Sequence, residues 1–216
     1  MRVAMLGQYP FDEQRILGGV EAVMVPLVRS LARFDDLEVH VVTCQPGVED
    51  RLTETLSGLP VHALKRRRLG RITFHARDVS KIRRTLERLS PRVVHAQGMG
   101  IYAAAAAHSG YPHVVTSHGI IFREAEFATG LAARFRGFAD SVYERYCLAR
   151  VKNLICISPY VEEELVQMRG FRGHAYQIEN PVDDSFFTVS GRGEGSTILY
   201  AGRVLPRKGL LSLLGA

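Results

Sequence analysis

No stretch of this sequence approaches the roughly 20 consecutive apolar residues that a membrane-spanning helix requires. Met1 leads directly into a strand-like run, Arg2 to Leu6, with no secretory pattern before it. Both absences point to a cytoplasmic protein. Cysteine is scarce: Cys44, Cys147 and Cys156 are widely spaced with no paired motif. That argues against a disulfide frame or a thiolate zinc site and for reduced thiols that fill the core. No H-E-x-x-H or similar ligand pattern occurs, so no metal is expected. No G-x-G-x-x-G follows the first strand-like run, and the second ends Thr43-Cys44-Gln45 without the acidic residue that would hold a ribose. A nicotinamide dinucleotide site, and hydride transfer with it, is therefore disfavoured. No internal repeat is present.

What is there is globular. With 46% hydrophobic and 23% charged residues, the 216-residue chain can build a sizeable core. Its length suits one α/β domain of about 150 to 200 residues, with a remainder too short for a second. The formal charge of +6 suggests an anionic partner, but a modest arginine excess is also common on ordinary surfaces.

Short apolar, β-branched runs recur at Val3 to Leu6, Val39 to Thr43, Val61 to Leu64, Val93 to His95, His113 to Ser117, Leu154 to Ile157 and Ala175 to Ile178. Helical patterns lie between them. Strands alternating with helices predict βαβ crossovers and a doubly wound, Rossmann-like parallel sheet. In the first helix Val20, Val23, Met24, Leu27, Val28, Leu31 and Phe34 form one apolar stripe. A second helical region, about residues 122 to 149, carries Leu131, Phe135, Phe138, Val142 and Tyr146 at the same spacing, and both stripes are read as core. Turn and linker chemistry follows Ile178, which divides the chain into a domain over 1–185, a linker over 186–196, and a truncated second domain over 197–216. The last opens with an expected strand, Thr197 to Ala201, and an apolar helix start, Leu210 to Leu214.

Ligands of a doubly wound sheet sit beyond the carboxyl ends of its strands. Three features fall there. The loop after the first strand ends in Gly18-Gly19-Val20-Glu21 at a helix start, where paired glycines and unpaired N–H groups suit a phosphate. The same glycines would equally permit a tight turn. His118 follows the strand His113 to Ser117, placed either to donate to a sugar or phosphate or to bond its own loop; His95 is a weaker candidate of the same kind. Arg203 and Lys208, around Pro206, could together hold a diphosphate, or be ordinary loop charges.

Taken together, Gly18 to Glu21, His118, Asn180 to Asp183 and Gly202 to Gly209 resemble the motifs of the family 4 glycosyltransferases, in the family's order and over nearly the whole chain. The resemblance implies a GT-B architecture, two Rossmann-like domains facing each other across a cleft. It implies transfer of a sugar, with retention of configuration, from a nucleotide-sugar to a lipid or glycan acceptor, with no cofactor and no obligatory metal. Gly18 and Gly19 would then present amides to the donor phosphates, His118 would sit near the transferred sugar, and Arg203 with Lys208 would neutralise the departing diphosphate. Glu21 and His95 would lie on the acceptor side. The Glu-x7-Glu segment with which members hold the sugar and ribose is not in these residues. The 216 residues alone are therefore expected to lack transferase activity and to need the donor-side domain or a companion chain. Two other readings stand beside this one: a non-catalytic binding module, and half of a split enzyme.

Between Lys65 and Arg84 nine basic residues, among them Arg66, Arg67, Arg68 and Lys81, are opposed only by Asp78. With apolar residues between them they form either a surface for the anionic inner face of the membrane or a solvated helix beside a basic loop. Nucleic acid is disfavoured, because aromatic interleaving is slight and no binding module is present.

Overall fold

A computed structural model describes the chain apart from residues 56, 57, 68, 69, 189–194, 196, 197, 201, 203, 205–207 and 216, with backbone alone at 71 and 72. Eight strands form one sheet: β1 (Arg2–Leu6), β2 (Glu38–Gln45), β3 (Arg51–Glu54), β4 (Pro60–Lys65), β5 (Val93–Gln97), β6 (His113–Ser117), β7 (Asn153–Cys156) and β8 (His174–Gln177). Their order is β3-β4-β2-β1-β5-β6-β7-β8. All neighbours are parallel except β3 and β4. The sheet is the expected α/β, Rossmann-like one. The antiparallel edge strand β3 is an addition that its sequence, Arg-Leu-Thr-Glu, did not signal.

The helices are α1 (Gly19–Leu31), α2 (Ala76–Leu89), α3 (Ile101–Ala107), α4 (Ile121–Glu126), α5 (Leu131–Leu148), α6 (Pro159–Glu162), α7 (Ser185–Thr188) and α8 (Leu210–Leu214); a π-helical turn, Glu163–Met168, extends α6. Alternation along each strand splits the core. Val3, Met5, Val39, Val41 and Val61 pack with α1 on one face. Ala4, Leu6, Val42, Val94 and Ala96 pack with α2, α3 and α5 on the other. The Ala-rich α3 is buried along almost its whole length and lies close to β5 and β6. All three cysteines are free and buried, and burial pushes the thiols of Cys44 and Cys147 up to about 12 and that of Cys156 to about 11, as filler residues require.

The second apolar stripe is not core. Gly130, at φ 82°, breaks the expected helix into α4 and α5. The two helices then meet at Gly137, where a Cβ would lie 2.8 Å from that of Ala125. Glu144, fully buried on α5, accepts from the N–H groups of Ile121 (2.8 Å) and Phe122 (3.3 Å) at the start of α4. These contacts turn Tyr143, Glu144, Cys147 and Leu148 inward. Leu131, Phe135 and Phe138 are left 88%, 73% and 66% exposed. The periodicity was that of a helix, but tertiary packing chose a different side of it.

The expected strand at 197–201 falls partly outside the described residues, and residues 198–200 form no strand. A strand needs a neighbouring edge for its N–H and C=O groups. Ile198 and Leu199 are exposed and pair with none. Leu210–Leu214 is helical as expected, on the surface. No helix of the described residues is long and apolar enough to cross a membrane.

Candidate active site at the strand switch point

β1 is followed in sequence by β2 on one side of it, while β5 lies on the other. The chain reverses its direction of winding between β1 and β5, so a crevice opens beyond their carboxyl ends. Gly7 ends β1 there. A Cβ on Gly7 would come within 3.1 Å of the Cβ of Gln97 and 3.3 Å of the Met24 side chain, so this position accepts little beyond glycine.

Four polar side chains form a connected row along this edge. His118 Nε2 lies 2.6 Å from Gln97 Oε1, Gln97 Nε2 lies 3.0 Å from His95 Nε2, and His95 Nε2 lies 2.8 Å from Thr116 Oγ1. The side chain of Asn180, the first residue of the Asn-Pro-Val-Asp turn, bonds to His118. The orientation of the Gln97 amide assigns tautomers. His118 donates from Nε2 to the amide oxygen, whereas His95 Nε2 accepts from the amide nitrogen and the Thr116 hydroxyl. Burial, and then the charge of His118, lowers the pKa of His95 to about 4. Burial also holds His118 below the usual histidine range, with Asn180 acting in the opposite direction. Both rings are therefore neutral near pH 7, and the lowered basicity of His118 suits it to bond a ligand as a neutral imidazole.

The loop between β1 and α1 is pinned from below. Tyr9 donates its hydroxyl to Glu13 (2.9 Å), and Arg29 on α1 donates Nε and a terminal N–H to the other Glu13 oxygen at 3.0 and 2.7 Å. Gln45 donates to the Tyr9 carbonyl (2.7 Å) and to Thr43 Oγ1 (2.9 Å). Glu13 is buried, and Tyr9 and the Arg29 guanidinium bond its two carboxylate oxygens.

Gly18 and Gly19 open α1 at this edge. Gly18 is extended (φ −142°, ψ 156°), neither glycine has positive φ, and a Cβ on either would point into open space. A tight turn therefore does not explain them. They leave the first-turn N–H groups of α1 uncovered, with no side-chain cap. Glu21 accepts from the Leu17 N–H (2.9 Å), so its carboxylate stabilises the entry to the helix.

Other expected site residues lie elsewhere. Arg203 and Arg68 fall outside the described residues. Lys208 is exposed before α8, with no hydrogen bond or ion pair among the described residues. Arg66 and Arg67 follow β4; their backbone N–H groups bond to Gln45 O (2.9 Å) and Asp78 Oδ1 (3.1 Å). Lys81 is engaged, its ammonium 3.0 Å from Asp50 and bonded to the Lys65 carbonyl. Gln97, Glu13, Arg29 and Asn180 were not singled out individually as site residues. Gln97 carried a usable signal, since it lies two residues after His95 and so on the same face of β5. The Glu13–Arg29 pair, 16 residues apart, had none.

Residues 17–186 match the sequence profile described as Glycosyltransferase Family 4. The chain belongs to that family. Comparison with curated protein sequences gives no match. Among solved structures the fold is similar to sucrose-phosphate synthase from Thermosynechococcus elongatus, at TM-score 0.72 and 18% identity, over 99% of this chain and 58% of that one. It is similar to the lipopolysaccharide outer core galactosyltransferase WaaB at TM-score 0.53 and 16% identity, over 84% and 46% of the two chains. A UDP-GlcNAc 2-epimerase from Neisseria meningitidis, bound to UDP-GlcNAc, aligns at TM-score 0.53 and 12% identity, over 78% and 43%. The chain thus spans about half the length of these proteins. The likeness is that of the GT-B amino-terminal domain. Family membership rests on the sequence match, and the structural likeness shows the fold.

Proposed function

We propose that this chain is the acceptor-side domain of a retaining glycosyltransferase that moves a sugar from a nucleotide-sugar to a lipid or glycan acceptor. The observation that carries the reading is the half-buried row His95–Gln97–His118–Asn180 at the switch point, beside an uncapped, glycine-opened helix start. The free N–H groups of Gly19 and its successors bind donor phosphate. His118, neutral and with its Nε2 proton on Gln97, accepts at its other ring nitrogen from a hydroxyl of the transferred sugar and orients it for attack. Arg203 and Lys208 neutralise the leaving diphosphate without a metal. A donor-side domain supplies the base pocket and closes over this edge, and Asn180 couples the turn toward that domain to His118. The 216 residues alone turn nothing over. That a similar fold binds UDP-GlcNAc supports a uridine nucleotide as the first donor to try.

The test is an assay of labelled nucleotide-sugars with the 216-residue chain and with a polypeptide extended through a donor-side domain. Label transfer by the longer form alone is expected. Turnover by the short chain would remove the two-domain requirement, and no transfer by either would favour a binding module.

A further inference from the structure

A cavity of about 180 Å³ lies between α5 and the turn that precedes α2, away from the row of histidines. Phe74, His75, Phe135, Phe138, Val142 and Tyr143 line it. Three observations mark it as built to receive something. Tyr143 is 7% exposed, and its hydroxyl is buried with no hydrogen-bond partner among the described residues. A buried hydroxyl without a partner costs stability, which marks this wall as not optimised for packing alone. Phe74 and His75 are both left-handed, at φ 47° and 54°, a conformation bulky side chains avoid. That turn sets Phe74 edge-on to Tyr143, with ring centroids 5.7 Å apart, at the wall of the cavity. Finally, Phe135 and Phe138 are exposed beside it, where a soluble surface gains nothing from them.

The surroundings are basic. Between residues 55 and 77 the sequence has no acid and carries Lys65, Arg66, Arg67, Arg68, Arg71 and Arg77. Arg66 is near enough to Tyr143 for its charge to act on that phenol. Arg134 and Arg136 are exposed on α5. Of the nearby acids, Asp78 is buried against the Arg67 N–H and His75, and Asp140, on the cavity wall, has a partner of its own. The turn follows the carboxyl end of β4, and α5 starts in the connection after the carboxyl end of β6. The cavity therefore lies toward the same edge of the sheet as His118.

We propose that this cavity holds the apolar chain of a phosphate-bearing amphiphile, with Arg66 and Arg67 on its phosphate, and that this amphiphile is the acceptor. The assignment rests on the transferase reading above only for the word acceptor. A glycan would need polar walls, and a flat bilayer would not fill a concave site. Cavities of about 150 Å³ lined by apolar side chains take up a benzene-sized group. One branched unit of the chain therefore enters, and the rest lies along Phe135 and Leu131.

Farnesyl monophosphate, kept below its micellar concentration, is the probe. Binding to the purified chain is followed by calorimetry and by tyrosine emission, which no tryptophan obscures. Saturable binding is expected, at least tenfold weaker for farnesol, and absent for inorganic phosphate. Phe138→Ser and Arg66→Gln should each weaken it at least tenfold with an unchanged circular dichroism spectrum. The proposal is overturned by absent binding, by inorganic phosphate binding as well as the probe, or by an unaffected Phe138→Ser. Attachment to anionic vesicles with no binding of the monomeric probe would also overturn it, in favour of a membrane-docking face. No sugar donor is in the assay, so probe binding by the 216-residue chain, with no transfer from any donor by the polypeptide extended through a donor-side domain, would sink the transferase reading alone. Transfer to a water-soluble glycan without probe binding would sink this one alone.

Discussion

His95 is kept neutral by its surroundings, and that has a measurable consequence. The unfolded chain takes up this proton near the ordinary histidine value of about 6.5, and the folded chain only near about 4. Between those values the unfolded state holds more protons, so stability falls as pH drops. About 2 kcal/mol should be gone by pH 5 and roughly 3 by pH 4, and His118 adds a loss of the same sign. Urea midpoints at pH 7 and pH 5 check this: His95→Gln should show a clearly smaller drop than the parent, and equal drops would contradict the assignment. Gln97→Leu removes the group that bonds both rings. It should cost about 1–3 kcal/mol, because two buried ring nitrogens lose a partner. At this scale the sequence showed the two histidines and the glycine pair, since strand ends and helix starts are visible in periodicity. It did not show Gln97 as the link between the histidines, which depends on β5 and β6 lying side by side. Nor did it show Glu13 and Arg29, whose pairing exists only once the loop after β1 folds back on α1.

Among the elements, α5 departs most from its pattern. Its apolar stripe reads as core, yet the contact at Gly137 and the inward Glu144 carboxylate place that stripe on the surface. Seven of the eight strands were legible, because buried parallel strands are continuous β-branched runs. β3 was not, since an edge strand needs only backbone pairing. Two substitutions separate the faces of α5. Phe135→Ser should change stability by no more than about 0.5 kcal/mol, as at an open surface, while Leu148→Ala on the inward face should cost about 2–5 kcal/mol. Gly137→Ala would gain about 1 kcal/mol of helix propensity. It must also force apart a contact of 2.8 Å, an overpacking cost of about 1–3 kcal/mol. Net destabilisation near 1 kcal/mol is expected by thermal or urea unfolding, and net stabilisation would show that α4 is not held against α5.

The whole molecule puts its chemistry where sheet topology provides a crevice. β1 and β5 diverge at their carboxyl ends, and Gly7, Gly18, Gln97, His118 and Asn180 gather there from segments more than 170 residues apart. This gathering explains why motifs that are each weak in the sequence count together. They are dispersed along the chain but share one edge of the folded sheet. The helix start proposed to bind phosphate lies at this same edge, the side that the proposed donor-side domain would cover. The most direct measurement is transfer of label from a nucleotide-sugar by the polypeptide carrying both domains, comparing the parent with His118→Ala at matched folding. The account predicts labelled product from the parent and a rate about 100-fold or more lower in the variant. An unchanged rate in His118→Ala, or no transfer from any nucleotide-sugar, would contradict it.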